Sequence, residues 1–195
     1  MPLRSTQTRT TGRQTARRSV ASLRESVLDM LKDDHKRVKK AFRDFEKIDP
    51  HEDPERAAEL VEQTCSELEV HAQLEEEIFY PAVRENISEA DLVTEAEVEH
   101  KSAKQLIADI RSLSPEDEKY AASFTVLGEY VKHHIREEEQ EMFKQLERAK
   151  IDWSGMLESL QQRRQALMVE HGMEADAAEA SAPARPRAPA GRSGR

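Results

Sequence analysis

The chain has 195 residues, a formal net charge of −9 and one cysteine, with 35% charged and 5% aromatic residues. This length suits one domain with a hydrophobic core, and the composition favours an all-helical protein. The negative charge argues against nucleic acid or an anionic membrane as a partner. No apolar run reaches the ~20 residues of a membrane span, and no signal-peptide segment follows the start, so we expect a cytoplasmic protein.

The first 19 residues contain five arginines and no acidic residue. Because they lack an apolar face, we predict a disordered basic arm at residues 1–19. An Arg-rich, acid-poor composition is also typical of a transit peptide, and arginines at this density can contact a polyanion. These two alternatives stay open.

Five segments follow in which apolar residues recur at the helical period. The pattern predicts helices at residues 22–47, 54–85, 88–113, 116–150 and 152–171. Pro81 is expected to kink or end the second helix near Phe79 and Tyr80, and Ser88 is expected to cap the third. The fifth helix is expected to pack across the others, with Trp153 near the join. The Ala-, Pro- and Arg-rich residues 172–195 are predicted to be a disordered tail.

Four of the predicted helices each place one histidine on the apolar stripe: His35, His71, His100 and His134. Glu75 and Glu138 each follow a histidine by four residues, which puts them on the same helix face. A single buried histidine is usually a hydrogen-bonded core residue, but an unpaired buried carboxylate is strongly disfavoured. Two divalent metal ions between the helices would compensate both glutamates, so we predict a metal site from these six residues.

The fourth predicted helix offers a choice of ligands. At 100° per residue, His134 lies about 60° from the direction of the apolar stripe and His133 about 160° away. Glu138 lies near the centre of the stripe, and we therefore predict that His134 and Glu138 face inward. Nitrogen and carboxylate ligands without sulfur suit iron, manganese or zinc.

Together and in this order, four motifs resemble the hemerythrin-like, or HHE cation-binding, family. They are residues 32–36 (KDDHK), 71–81 (HAQLEEEIFYP), 98–100 (VEH) and 133–143 (HHIREEEQEMF). The resemblance implies an up-down four-helix bundle, here at residues 20–171 with an additional C-terminal helix. It also implies two iron ions, oxo- or hydroxo-bridged, with manganese or zinc as alternatives. By this analogy His35 and His71 bind one ion, His100 and His134 bind the other, and Glu75 and Glu138 bridge them.

The chain departs from the oxygen-carrying members of the family in two ways. Those carriers have a second histidine one turn from the third-helix ligand, whereas Ala96 and Lys104 flank His100 here. Their last carboxylate follows its histidine by five residues, which would replace Glu138 by Glu139 or pair His133 with Glu138. The missing histidine implies an open metal position or a substitute ligand, for which Tyr130 and Glu97 are candidates.

Three functions compete on this basis. A redox enzyme would react with peroxide, dioxygen or nitric oxide at the open position, and peroxide decomposition is one form of it. A non-enzymatic protein would bind iron, oxygen or nitric oxide for storage or sensing. A metal-free helical interaction protein is disfavoured by the two buried glutamates. We expect a small-molecule reactant.

Overall fold

The computed structural model of the protein describes the backbone of residues 8–173 and the side chains of residues 19–173. These residues form helices and connecting turns without a strand, which confirms the predicted all-α fold. The α-helices are α1 Thr8–Phe45, α2 Pro54–Leu74, α3 Tyr80–Arg84, α4 Asp91–Arg111, α5 Glu118–Glu137, α6 Phe143–Gln145 and α7 Trp153–Glu170. No helix within these residues is long and apolar enough to cross a membrane.

Four long helical units form the bundle. Two of them are single helices, α1 and α4, and the other two are α2 with α3 and α5 with α6. Helix α1 packs on α2 and α5, and α4 packs on α5 and α2. The fifth predicted helix is present as α7, which lies against α1 and α2 with Trp153 buried at its start. The additional C-terminal helix thus covers one side of the four-helix bundle.

Several helix ends differ from the sequence prediction. Helix α1 begins at Thr8 instead of residue 22, so the backbone of residues 8–19, expected in the disordered arm, is helical. Arg, Gln and Ala, which make up half of these twelve residues, are favourable in a helix interior even without an apolar face. Ser88 does not cap the third helix, because its hydroxyl donates to Gln145 and α4 starts at Asp91. Residues 1–7 and 174–195 lie outside the described residues.

Two π-helical turns interrupt the long helices. Glu75–Phe79 joins α2 to α3, and Glu138–Met142 joins α5 to α6. The first lies directly before Pro81, whose missing N–H cannot continue an α-helical hydrogen-bond ladder, so the expected interruption takes this form. Each turn begins at one of the two predicted glutamate ligands, and π turns are frequent at functional sites.

The hydrophobic core is divided into two clusters. One contains Leu31, Leu74 and Met142 together with Leu160 of α7, and the other contains Val38, Phe124 and Ile135. The four histidines of the predicted site lie between these clusters along their helices, because apolar residues of one cluster precede them and those of the other follow. The core is therefore two apolar halves around a polar layer.

Replacing Leu160 by alanine tests how α7 is held. Leu160 is fully buried in the first cluster, whereas Val169 on the same helix is 76% exposed. We expect Leu160→Ala to lower the free energy of unfolding by about 2–5 kcal/mol and Val169→Ala to change it by less than about 0.5 kcal/mol. Urea denaturation followed by circular dichroism measures both, and equal losses would contradict a docked α7.

Candidate metal centre

The six residues predicted from the sequence come together in the polar layer, and all six are buried. The Nε2 atoms of His35 and His71 lie 3.1 Å apart, and those of His100 and His134 lie 3.2 Å apart. Glu75 lies between the two pairs, because its Oε2 is 3.1 Å from His71 Nε2 and 3.5 Å from His100 Nε2. Glu138 Oε2 is 3.2 Å from His35 Nε2. These six residues, which we call the inner set, thus form two histidine pairs that share Glu75.

Three of the four glutamate oxygens of this layer lack a hydrogen-bond partner among the described residues. Among the described residues, Glu75 Oε1 and both carboxylate oxygens of Glu138 are buried without one. Burying an unpaired carboxylate costs several kcal/mol or forces it to take up a proton. Four ring nitrogens and these free oxygens can instead surround cations, with His35, His71, Glu75 and Glu138 as one group and Glu75, His100 and His134 as the other. The residues present therefore fit two metal ions.

Each of the four histidines has a carboxylate on its other ring nitrogen. The Nδ1–carboxylate distances are 2.8 Å from His35 to Glu139, 3.2 Å from His71 to Asp34, 3.1 Å from His100 to Glu76 and 2.9 Å from His134 to Glu99. An acceptor at Nδ1 fixes the proton there and leaves Nε2 free for a metal, an arrangement typical of metal-bound histidine. We call Asp34, Glu76, Glu99 and Glu139 the carboxylate ring.

The carboxylate ring follows the order of the helices. Each member is the direct sequence neighbour of an inner residue on its own helix, and it contacts the histidine of the next helical unit. Asp34 of α1, for example, reaches His71 of α2, and Glu99 of α4 reaches His134 of α5. Orientation of the histidines is thus a property of the assembled bundle, because no helix orients its own ligand.

The pKa values of the layer reflect this density of charge. Burial by itself would raise the pKa of Asp34, but its hydrogen bonds to His71 and Arg164 outweigh that effect and lower it. Burial would likewise lower the pKa of His71, yet the neighbouring carboxylates of Glu75 and Asp34 raise it well above its usual value. A proton and a metal ion therefore compete for His71, as is general for histidine ligands.

Tyr80 is a site residue that the sequence reasoning missed. Its hydroxyl lies 3.3 Å from Glu75 Oε2 and 3.4 Å from His100 Nε2, and the side chain is buried. On an ideal α-helix a residue five positions after Glu75 points about 140° away from it. The π turn inserts one residue, so Tyr80 takes the place that the fourth residue would otherwise hold. Burial, with the charges of Glu138 and Glu75, raises the pKa of Tyr80 well above its usual range.

The two substitute ligands considered from the sequence are not among the six residues that come together, although Tyr130 lines the cavity beside the histidines. Tyr130 is 50% exposed, and Glu97 pairs at the surface with Arg84 at 2.7 Å. The alternatives on the last helix are also placed apart from the inner set. Glu139 belongs to the carboxylate ring, and His133 is half-exposed beside Glu137. The inward positions are those of His134 and Glu138.

A cavity of about 40 Å³ adjoins the histidines. Its lining includes all four histidines of the site together with apolar side chains such as Ala103, Ile107 and Val131. A cavity needs a volume of roughly 10–15 Å³ to hold one water molecule. The cavity therefore has room for a molecule of two to four atoms next to the two histidine pairs.

Glu138→Gln separates a metal ligand from a structural carboxylate. Glutamine keeps the shape but removes the buried charge, so we expect the metal-free protein to be no less stable and metal binding to be lost. Glu139→Gln should weaken binding by about 10- to 100-fold. Glu141→Gln, an exposed control in the same π turn, should change neither quantity. Metal content and urea denaturation measure the two effects, and a destabilised metal-free Glu138→Gln protein would contradict this account.

Comparison with known proteins places these residues in a family. The family model described as Hemerythrin HHE cation binding domain matches residues 26–146, more than half of the chain. A DNA nickase from Nostoc sp. is 30% identical over 118 residues, which cover 60% of this chain and 32% of the relative. The chain thus spans about a third of the length of that relative.

A solved structure has the same fold. It is the crystal structure of a hemerythrin HHE cation binding domain-containing protein from Mycobacterium kansasii, an Rv2633c homolog. It is 19% identical, covers 73% of this chain and 89% of its own, and has a TM-score of 0.60. The family model spans all four histidines and both glutamates of the site and more than half of the chain. The chain therefore belongs to the hemerythrin HHE cation-binding family.

Proposed function

We propose that the chain is a non-haem di-iron protein that reacts with peroxide, dioxygen or nitric oxide, with peroxide decomposition as its leading activity. One observation carries the proposal: two buried histidine pairs share Glu75 and enclose carboxylate oxygens that have no hydrogen-bond partner among the described residues. His35, His71 and Glu138 would hold one iron, His100 and His134 the other, and Glu75 would contact both. By the family resemblance, Glu138 would contact the second iron as well.

The donor set favours iron over several other metals. Four imidazoles and two carboxylates without sulfur suit iron, manganese or zinc better than copper(I), magnesium or calcium. Cys65 is buried in the second core cluster and is no part of the inner set. Among the three metals, iron and manganese can change oxidation state, which peroxide or dioxygen chemistry requires, and the family resemblance selects iron.

The second histidine pair supports a reactive centre. It is joined by one glutamate, whereas the first pair has two, and the position one turn before His100 is the buried Ala96. The cavity, which adjoins this pair as well as the first, has the size of a small reactant. A metal with fewer protein ligands beside a small apolar cavity can take a reactant as a further ligand.

Peroxide decomposition is balanced without another co-reactant. One hydrogen peroxide loses two electrons and two protons to become dioxygen, and a second accepts two electrons and two protons to become two waters. A pair of iron ions would hold the two electrons between these half-reactions. The chain's part is to orient the reactant and to hold protons. Tyr80 stays protonated because its pKa is raised, so its hydroxyl can donate a hydrogen bond at the second pair.

DNA is not included among the proposed substrates. The Nostoc relative named a DNA nickase is about three times as long as the part matched here. Residues 20–171 of this chain contain 21 basic and 36 acidic residues, and such an excess of negative charge opposes contact with phosphates. The proposal therefore stays with small molecules.

Iron-loaded protein should convert hydrogen peroxide to dioxygen and water in a ratio of two peroxides to one dioxygen. An oxygen electrode and peroxide absorbance measure both sides. Glu75→Ala should lose both the iron and the activity, because it removes the carboxylate shared by the two groups. Glu77→Ala, on the exposed side of the same π turn, should retain both. Full iron content without turnover, together with reversible spectral change on adding oxygen or nitric oxide, would establish the binding or sensing alternative.

Tyr80→Phe should retain iron and lower the turnover number by about 10- to 100-fold, the value of one hydrogen bond to a charged or reacting group. Tyr120→Phe is the matched control and should have wild-type activity, since Tyr120 is buried in the second core cluster and belongs neither to the inner set nor to the cavity lining. Steady-state kinetics and iron analysis on both variants provide the comparison. Loss of iron from Tyr80→Phe would show that this tyrosine is a ligand instead.

A further inference from the structure

Helix α7 contacts the polar layer that contains the proposed metal site, although the match to the family ends before α7 begins. The model matches residues 26–146, and α7 begins at Trp153. Arg164 extends from α7 to Asp34, the member of the carboxylate ring that accepts from His71. A residue outside the matched bundle is therefore two contacts away from a proposed iron ligand.

The contact between Arg164 and Asp34 has a two-point geometry. Arg164 Nη1 donates to Asp34 Oδ1 at 2.7 Å, and Nη2 donates to Oδ2. The same Oδ2 lies 3.2 Å from His71 Nδ1. A guanidinium that grips both oxygens of a carboxylate fixes its plane as well as its charge. Arg164 therefore fixes the orientation of the acceptor that orients His71.

Arg164 differs from the side chains that contact the other members of the carboxylate ring from outside. Lys39 contacts Glu139, Lys104 contacts Glu76, and His133 lies 3.5 Å from Glu99. These three side chains belong to the four bundle units and are 31–49% exposed, whereas Arg164 is 19% exposed. Arg37 also pairs with Asp34, but it engages Oδ1 alone and is 46% exposed. Arg164 is the most shielded of these side chains. Its two terminal nitrogens each hold a different oxygen of Asp34, whereas Lys104 reaches both oxygens of Glu76 through a single nitrogen.

We propose that Arg164 is a positioning residue for the metal centre: through Asp34 it holds His71 with Nε2 directed at the metal, so that docking of α7 and metal binding stabilise each other. The proposal rests on the proposed iron centre. Two equilibria that share one contact are linked in both directions. Metal binding then strengthens α7 docking by the same factor by which docked α7 strengthens metal binding.

Arg163 provides a matched control on the same helix. Its guanidinium also makes a two-point contact, with Glu77 at 2.7 and 3.1 Å, and it pairs with Glu170 at 2.9 Å. It thus ties α7 to the first π turn without touching the inner set or the carboxylate ring. A residue that only docks α7 would behave like Arg163, whereas a positioning residue would also change metal binding.

The experiment compares full-length wild type with Arg164→Gln, Arg164→Lys and Arg163→Gln. Iron affinity is measured by chelator competition, the iron absorption spectrum is recorded, and urea denaturation of the metal-free proteins gives the docking contribution. We expect Arg164→Gln to weaken iron affinity by about 10- to 100-fold, the usual effect of losing an outer partner of a histidine ligand, and to shift the spectrum. Arg164→Lys should lie between, because lysine restores charge without the two-point grip.

The controls make the outcome decisive. In Arg163→Gln, α7 stays docked through Arg164 and its buried apolar residues. The metal-free protein should therefore be less stable while iron affinity and the spectrum stay unchanged. In an Asp34→Asn background, Arg164→Gln should cause no further loss of affinity, since its effect passes through Asp34. Equal iron affinity in Arg164→Gln and Arg163→Gln would overturn the proposal. If Arg164→Gln does not fold, Arg164→Lys and Asp34→Asn carry the same comparison.

The proposed function fails separately from this inference. A wild-type protein that binds no iron would overturn the di-iron function, and the same affinity comparison would then be made with Zn²⁺, which accepts the same ligands. Wild-type iron binding with no difference between the two arginine variants would overturn the role of Arg164 alone. A wild-type protein that binds neither metal would overturn both.

Discussion

The burial of two glutamates in the middle of an otherwise apolar bundle is the constraint on which the rest of the structure depends. Glu75 and Glu138 are almost completely shielded from water, and three of their four oxygens have no hydrogen-bond partner among the described residues. In an apolar interior such groups need compensating positive charge. The four histidines that converge on them offer lone pairs, and they supply that charge only when protonated or metal-bound. The inner set therefore has the donor atoms of a metal site, and it needs bound protons or metal ions to balance the charge of its carboxylates.

The surrounding layers follow from this requirement. A neutral imidazole can turn either nitrogen inward, so each histidine needs an acceptor outside it to select the Nε2 atom for the centre. The carboxylate ring provides those acceptors. Its negative charge is offset by the lysine and arginine side chains that contact it from outside, which are Arg37, Lys39, Lys104 and Arg164. This succession of histidine, carboxylate and cation spans from the core to the surface on every side of the bundle. It extends furthest at Asp34, where the outermost member comes from α7.

The sequence predicted the all-α fold, the five helical units and the inward placement of six residues, because a four-residue spacing holds its direction along a regular helix. It could not predict Tyr80, since the π turn changes that direction by one residue within the span in question. No proline or glycine marks the second π turn, so the sequence contains no local signal for it. The carboxylate ring was also missed. Its members lie at stripe edges among many surface acids, and only the packing of neighbouring helices distinguishes them. Arg164 is 130 residues from its partner in the chain, beyond the reach of any periodicity.

The division of the core into two apolar clusters has a consequence for cooperativity. The cluster that contains Leu74 and the cluster that contains Phe124 are two separate hydrophobic cores. The polar layer lies between them. Without metal ions the two halves are joined by the continuous helix backbones and by the histidine–carboxylate contacts of this layer, such as that of His71 with Glu75. With cations it becomes a crosslink among the bundle units. We therefore expect occupancy of the centre to decide whether the bundle unfolds as one unit or as two, as subglobal unfolding units do.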